Sequence, residues 1–449
     1  MRPDVPFRPA ALPFFYGWVV LVVTTLGVIC SIPGQTMGVS VFTDPLLRAT
    51  GLSRLAFSNA YMIGTLVSGL TLSWGGLWLD RFGVRRTIFA ACLGLAATLL
   101  FLSESDRLAI RLAQALGGIE TSAVAWVLLT GAFAVLRFSG QGMMTLASRT
   151  TLARWFVRRC GLMSALSGAV VSFGFAAAPL GLQLWIQAAG WRGAWQGMAL
   201  VVGLGMGLIG LVFYRHDPQE CGLYPDGDPA PATPATRAAP EPAPGLRHSG
   251  GGPHGVMIPE YTRSQAMRTA AFWLVTLGIA SHAMVGTGLT FHIVNLGAEA
   301  GLSEAQAVGV FLPIALISTP STFAAGAALD RFPVRHVVVA MMVFEVLMYA
   351  GMAFWAIPAA RWIGIAGWAL ATACFSPLSV AAMPALFGRR HLGAIQGAQM
   401  TAIVLASALG PALLVLFRDM FGSYRPGLLL LCLLPALIGL VAPSIRTRA

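Results

Sequence analysis

Long apolar runs alternate along this chain with short stretches that hold nearly all of its charge. A run of about 20 residues is long enough to cross a bilayer as a helix. Twelve such runs occur, over residues 15–41, 55–79, 87–103, 123–149, 160–187, 193–214, 269–296, 304–329, 336–357, 361–386, 393–417 and 424–443. The pattern predicts an all-α membrane protein of twelve transmembrane helices. Between the sixth and seventh runs lies Arg215 to Met267, with the stretch "DGDPAPATPATRAAPEPAPGLRHSGGGPHG". It is rich in Pro, Ala and Gly and almost without large apolar residues, so it reads as a disordered linker. The expected organisation is a six-helix bundle over 1–214, a linker over 215–267 and a second six-helix bundle over 268–449.

Composition agrees with this. Hydrophobic residues make up 57% of the chain and charged residues 10%, where a soluble domain carries about 25% charge. The net charge is +12 and all 29 basic residues are arginine. They sit in separate short loops, which argues against nucleic acid as a partner. The preference for arginine over lysine, alongside abundant alanine, reads as a coding bias. With the N-terminus inside, the inner side holds 20 arginines and the outer side 8. That asymmetry predicts cytoplasmic N- and C-termini in the inner or plasma membrane. The first run is long enough to span and no small-residue cleavage site follows it, so it reads as a retained helix. None of the six cysteines has metal or redox spacing. No metal, cofactor, nucleotide loop or catalytic triad is implied, and an enzyme is disfavoured.

One charged stretch occurs twice. "GGLWLDRFGVRR" (Gly75–Arg86) follows span 2, and "GAALDRFPVRH" (Gly326–His336) follows span 8 with its Asp-Arg pair 250 residues later. "RWFVRRCG" and "ALFGRRHLG" likewise end spans 4 and 10. The halves are therefore pseudo-symmetric repeats. The first half carries about 19 more residues between spans 3 and 4, and Ser103 to Ser122 is the evident insertion. It lies on the outer side, either as an unordered loop or as an amphipathic helix in the interface.

Two charges sit near the middle of a span, Arg137 in span 4 and Glu345 in span 9. A charge at the bilayer centre costs at least about 2.5–3.5 kcal/mol on insertion scales, so each is a functional candidate. Arg137, Gln141, Thr145 and Ser148 follow helical spacing on one face. A buried guanidinium beside a polar stripe suits a carboxylate, which it clamps through parallel hydrogen bonds. The alternative is an arginine tied to backbone carbonyls of neighbouring helices. Glu345 is either a neutral, hydrogen-bonded carboxyl or a proton-coupling carboxylate. Span 7 places Ser281, Gly288, His292, Asn295 and Glu299 along one face, with His282 apart from them. His282 is a second proton-coupling candidate, since histidine titrates near neutrality; a satisfied structural histidine is the competing reading. In "SIPGQTMG" of span 1, Pro33 and Gly34 are placed to break the helix and free carbonyls beside Gln35. Tyr61, Thr65 and Ser68 share a face of span 2.

The duplicated loop resembles the signature loop of the major facilitator superfamily, with Gly76, Asp80, Arg81, Gly83, Arg85 and Arg86 at the motif positions. The second copy departs at Pro333 and His336. The resemblance covers the whole chain, because span number, linker position and repeat all agree. It implies alternating access by two six-helix bundles. It also implies that Asp80, Arg81, Arg85 and Arg86 form a cytoplasmic latch around Gly83, with Asp330, Arg331 and Arg335 as the second set; the competing reading is that these charges only fix topology. "RFSGQG" from Arg137 resembles the arginine motif of span 4 in this superfamily. Spans 1, 4, 7 and 10 line the cavity there, which implies Gln35, Arg137, His292 and Asn295 as cavity residues, joined by Gln141 and Tyr61. "FYGWVVL" and "RWFVRRCGLMSAL" resemble the monocarboxylate and oxalate/formate branch. That branch places a cation in span 8 and some members another in span 11, and neither is present after Glu304 or in "GAIQGAQMTAIVLASALGPALLVLF". "GFAAAPLG" in span 5 has Ala178 where an antiporter pattern expects glycine.

The expected function is a monomeric secondary transporter for a small organic anion, a mono- or dicarboxylate, coupled to protons. An exporter of amphipathic compounds is the alternative. A membrane sensor is a further one, with no sizeable soluble domain to pass on a signal.

Overall fold

The helices lie where the apolar runs lie. The computed structural model describes residues 4–228 and 260–444, and no strand occurs among them. Among the described residues, eleven helices are long and apolar enough to cross a membrane: Gly17–Ser40, Arg54–Phe82, Val84–Ser103, Thr121–Trp155, Cys160–Phe213, Ala270–Glu299, Glu304–Arg331, Val334–Ala353, Pro358–Phe387, Leu392–Phe421 and Tyr424–Ser444. The fifth has 54 residues, or about 80 Å of helix against a hydrocarbon core of about 30 Å. Gly190 breaks it with φ 70, so it supplies spans 5 and 6 and the count is twelve. Large apolar side chains such as Leu440, Leu55 and Leu180 remain exposed. Apolar side chains exposed along such helices suit lipid better than water.

Several boundaries move, each for a local reason. Span 4 was expected to stop at 149 but continues to Trp155, because the polar residues of "TTLARW" find partners: Thr151 bonds back to the Ala147 carbonyl at 2.7 Å. The charged loops shrink almost to nothing. Span 2 runs through Asp80 and Arg81 to Phe82, and span 3 starts at Val84. The whole turn is Gly83 at φ 77, a conformation open to glycine without strain. Proline has φ fixed negative, so the second copy turns through Phe332 and Pro333 in extended conformations. The insertion contains a helix, Ser105–Ala115, which buries Ala109 and Ala113; its Asp106 is ion-paired with Arg192. The segment expected to be a disordered linker carries short helical turns at both described ends, Gln219–Cys221 and Arg263–Met267. Residues 229–259 lie outside the described part.

Two compact units divide the chain. Unit 1 comprises Met1–Thr151, Val170–Gly227 and Gln396–Thr401; unit 2 comprises Leu152–Ala169, Asp228–Ile395 and Ala402–Ala449. Unit 1 thus takes one and a half turns of span 11, and unit 2 takes the junction of spans 4 and 5. In unit 2, spans 5 and 8 cross where a Cβ on Gly161 would meet the Gly326 carbonyl oxygen at 2.2 Å.

Candidate substrate site

In unit 1, span 1 is broken as its Pro-Gly pair predicts. The α-helix ends at Ile29, Ile32–Gly34 form a single 3-10 turn, and the helix resumes at Thr36 after Gln35 passes through an extended conformation. Pro33 lacks the N–H that a continuous helix needs. The break releases the Gly34 carbonyl, and Arg137 takes it: its Nη1 donates to Gly34 O at 3.2 Å and to Thr36 Oγ1 at 3.3 Å. The guanidinium carbon lies 5.3 Å from the Tyr61 ring centre, and the Tyr61 hydroxyl donates to Thr36. Arg137 is 4% exposed and its Nε has no partner. Gln35 turns instead to Ser31, donating from Nε2 at 3.0 Å. Both readings of Arg137 therefore have a footing: one part of the guanidinium ties two helices, and another part is unsatisfied.

Span 4 answers the break in span 1 with a disturbance of its own. Phe138–Met144 form a π-helical segment, and Gly140 lies within it against Gly34, where a Cβ would be 2.8 Å from the Gly34 Cα. A π turn holds about one residue more than an α turn. Positions beyond it are therefore rotated by about 100° from the register of an unbroken helix. The stripe expected as Arg137, Gln141, Thr145 and Ser148 is split by this shift. Ser148 points into the bundle, 2.8 Å from the Tyr214 hydroxyl, which itself donates to the Val23 carbonyl. Its place on the face of Arg137 passes to Arg149, with Thr145 between the two.

In the sequence, the apolar run of span 4 ends at Arg149. With the helix continuing to Trp155, it lies inside the span and is partly buried. Its guanidinium has no hydrogen bond or ion pair among the described residues. The buried Thr145 hydroxyl is also without a partner. Neither Arg137 nor Arg149 is paired with an acid among the described residues. The signal missed in the sequence was the glycine-flanked "SGQG", which permits a π turn and moves the polar face by one position. Thr36 and Tyr214 were likewise overlooked as partners.

In unit 2 the stripe of span 7 does not act as one surface. Ser281 donates to Glu345 Oε2 at 2.8 Å, and Tyr349 reaches the same oxygen at 2.9 Å. Glu345 is fully buried and its Oε1 has no partner. His282 meets Thr372 of span 10 at 3.2 Å and leaves Nδ1 unpaired. His292 contacts the Pro411 carbonyl at 3.1 Å and stacks on Tyr424. Asn295 is exposed. Glu299 accepts from Arg418, Ser423 and the Tyr424 amide.

The duplicated motifs occupy different surroundings. Asp330 receives the Gly161 N–H at 2.7 Å and the Leu162 N–H at 2.9 Å, a carboxylate on the first turn of span 5 where the helix dipole favours it. Arg331 is exposed and Arg335 partly so. In unit 1, Asp80, Arg81, Arg85, Arg86, Arg215 and Glu220 help line a cavity of about 320 Å³. Arg85 donates to the carbonyls of Val5 and Val212. Arg215 donates to the Val212 and Tyr214 carbonyls, at 2.6 and 2.9 Å, and to those of Val5 and Phe7, both at 3.4 Å, so these two arginines fasten the N-terminal segment to span 6. Burial lowers the affinity of the Arg215 guanidinium for its proton, and it pushes the Cys221 thiol up to about 11 even though Arg215 lies near. Arg81 and Arg86 are exposed. No group of three or more His, Cys, Asp or Glu residues arranged to hold a metal occurs among the described residues.

The family model of the Major Facilitator Superfamily matches residues 24–411. No curated protein sequence matches. Among solved structures, the chain is similar to the human organic anion transporter MFSD10 (TETRAN), with 13% identity, coverage of 95% of this chain and 99% of that one, and a TM-score of 0.61. It is also similar to the proton:xylose symporter XylE, at 13% identity, 96% coverage of each chain and a TM-score of 0.63. The E. coli fucose:proton symporter FucP matches at 11% identity over 96% of this chain and 99% of that one, again with a TM-score of 0.63. At these identities the likeness is one of fold.

Proposed function

The chain belongs to the major facilitator superfamily, and from that premise we propose that it moves a small organic anion, a mono- or dicarboxylate, by proton-coupled alternating access. It is a membrane transporter and not an enzyme. The observation that carries the anion is the pair of guanidinia on one face of span 4, Arg137 and Arg149, with no acid paired to either among the described residues. Two uncompensated charges inside a bundle are costly unless something anionic visits them. The likeness to a structure described as an organic anion transporter points the same way, as do the motifs shared with the monocarboxylate branch. Gln35, Tyr61 and Gln141 complete this wall in unit 1, and His292 and Asn295 are the candidate binding residues of unit 2.

Proton coupling rests on Glu345, held by two hydroxyls with one oxygen unpaired, and on His282 beside Thr372. Two of the similar structures are of proton symporters. The Asp80, Arg81, Gly83, Arg85 and Arg86 loop and its Asp330, Arg331 and Arg335 counterpart gate the cytoplasmic side. The arginine bias supports cytoplasmic termini, and the reading has the protein work as a monomer in the inner or plasma membrane. One observation favours an exporter of amphipathic compounds instead: spans 8 and 11 lack the cations expected of a carboxylate carrier.

The two readings separate in a ligand panel on the purified protein. A ligand that binds only the folded state raises its melting temperature, by about 2.7 kcal/mol of stability at 100 times Kd. Stabilisation by lactate, oxalate or succinate, and not by neutral sugars or lipophilic cations, is the expected result. Stabilisation by lipophilic cations alone would overturn the anion reading.

A further inference from the structure

We propose that Arg149, and not Arg137, grips the carboxylate of the substrate, with the amide of Gln399 and the hydroxyl of Thr145 as neutral donors beside it. The inference rests on the anion reading above and names the contact group within it. Arg137 is largely committed. Its Nη1 bridges Gly34 and Thr36, one side of its plane faces Tyr61, and it is 4% exposed. An incoming carboxylate has to break those contacts to reach it. Arg149 has nothing to break: it is partly exposed and has no hydrogen bond or ion pair among the described residues.

Its surroundings are short of acceptors rather than donors. Thr145 lies one helical turn before Arg149 on the same face, in the α-helical part of span 4 beyond the π segment. Its Oγ1 is buried and unpartnered. Such a hydroxyl inside a helix ordinarily bonds back to the carbonyl four residues earlier; here that position, Gln141, lies inside the π segment. The next residue after Arg149, Thr150, donates to Gln396 Oε1 of span 11 at 2.6 Å. That contact fixes the height of span 11 against span 4 within unit 1. Ser73 and Thr401, 3.1 Å apart, fix the same stretch against span 2. Gln399 is one turn beyond Gln396, 2% exposed, and its Nε2 has no partner. Spans 4 and 11 run in opposite directions, so Gln399 comes level with the turn that joins Thr145 to Arg149.

Three donor groups without acceptors therefore meet at one level of unit 1: a guanidinium, a buried amide and a buried hydroxyl. Buried donors are ordinarily satisfied. A carboxylate supplies two oxygens with about four acceptor sites and one negative charge, which answers all three groups and neutralises Arg149. An inorganic oxyanion such as phosphate offers similar oxygens, so the two sources are separated by experiment.

The test is equilibrium binding to the purified full-length protein, using lactate, oxalate and succinate as carboxylate probes and phosphate and sulfate as inorganic ones. Arg149→Gln is expected to weaken carboxylate binding at least about tenfold, from the loss of two charge-assisted hydrogen bonds. Arg149→Lys, which keeps the charge and loses the planar fork, is expected to recover only part of it. Gln399→Glu is a second probe that does not depend on tolerance to losing the arginine. It places an acid beside Arg149, and is expected to raise the melting temperature while abolishing carboxylate binding. Full affinity in Arg149→Gln, or in Gln399→Glu, overturns the inference and leaves the anion reading standing. Wild-type protein that binds none of the carboxylates overturns both. Binding of phosphate and sulfate in place of carboxylates overturns the assignment to a carboxylate.

Discussion

Replacing Arg137 by glutamine separates a structural arginine from an electrostatic one. The structure gives it two long charged hydrogen bonds, 3.2 and 3.3 Å, and a ring contact at 5.3 Å. Bonds of that length belong at the weak end of their range, about 1.5 kcal/mol each, and the ring adds about 0.5–1 kcal/mol. The substitution thus removes about 3.5–4 kcal/mol. Against this stands the cost of a charge inside a span, about 2.5–3.5 kcal/mol. The net loss is about 0–1.5 kcal/mol. For a unit of some 200 residues that lowers the melting temperature by no more than about 6 °C. The effect on an anion is indirect. Arg137 and Arg149 are about 17 Å apart along span 4, and at an effective dielectric of about 20 the lost attraction is about 1 kcal/mol, or some fivefold in affinity. Arg137→Lys preserves the charge and is expected to keep that fivefold. Differential scanning fluorimetry and equilibrium binding on the same samples measure both quantities. A fall of more than about 10 °C with unchanged affinity in Arg137→Gln would instead make the residue a strut between spans 1 and 4.

Other consequences are smaller in scope. Asp330→Asn keeps the shape but leaves one of the two N–H groups at the start of span 5 facing an amide donor; a loss of about 2 kcal/mol, or about 4–8 °C, is expected, and an unchanged melting temperature would deny the capping role. Glu345→Gln retains acceptors for Ser281 and Tyr349, so the protein is expected to fold while uptake loses its response to an imposed pH gradient; intact coupling would make Glu345 a packing residue. Leu116→Cys, 59% exposed beyond the insertion helix, is expected to react with an impermeant maleimide added outside intact cells in a cysteine-free background, and labelling only after lysis would reverse the orientation.

What the sequence made legible follows from what the membrane demands. Apolar length fixes the spans, and the Pro33-Gly34 pair located the break in span 1, because both are backbone constraints visible residue by residue. The lateral geometry of span 4 was not visible in the same way. An uninterrupted 3.6-residue period placed Ser148 beside Arg137, whereas the π segment at Phe138–Met144 gives that position to Arg149. A π turn is set by the approach of Gly140 to Gly34, a contact between helices about 100 residues apart in sequence. The stripe of span 7 failed for a related reason. Ser281 and His292 share a face, yet Ser281 meets span 9 and His292 meets span 11, and no periodicity within one helix shows which neighbour lies against which turn. The motif loops were legible as motifs but not as geometry. Gly83 makes a one-residue turn, and Arg85 donates to the carbonyls of Val5 and Val212, partners far from the loop in sequence.

A carboxylate carried on the uncompensated guanidinia of span 4 is detected as transport. The measurement is uptake of radiolabelled lactate and oxalate into proteoliposomes of the purified protein, with an inward proton gradient and with the gradient collapsed by an ionophore. The expected result is saturable carboxylate uptake that falls on collapse of the gradient and is lost in Arg149→Gln reconstituted at equal density. Uptake of neither carboxylate above empty liposomes, with gradient-driven movement of a lipophilic cation instead, would contradict it.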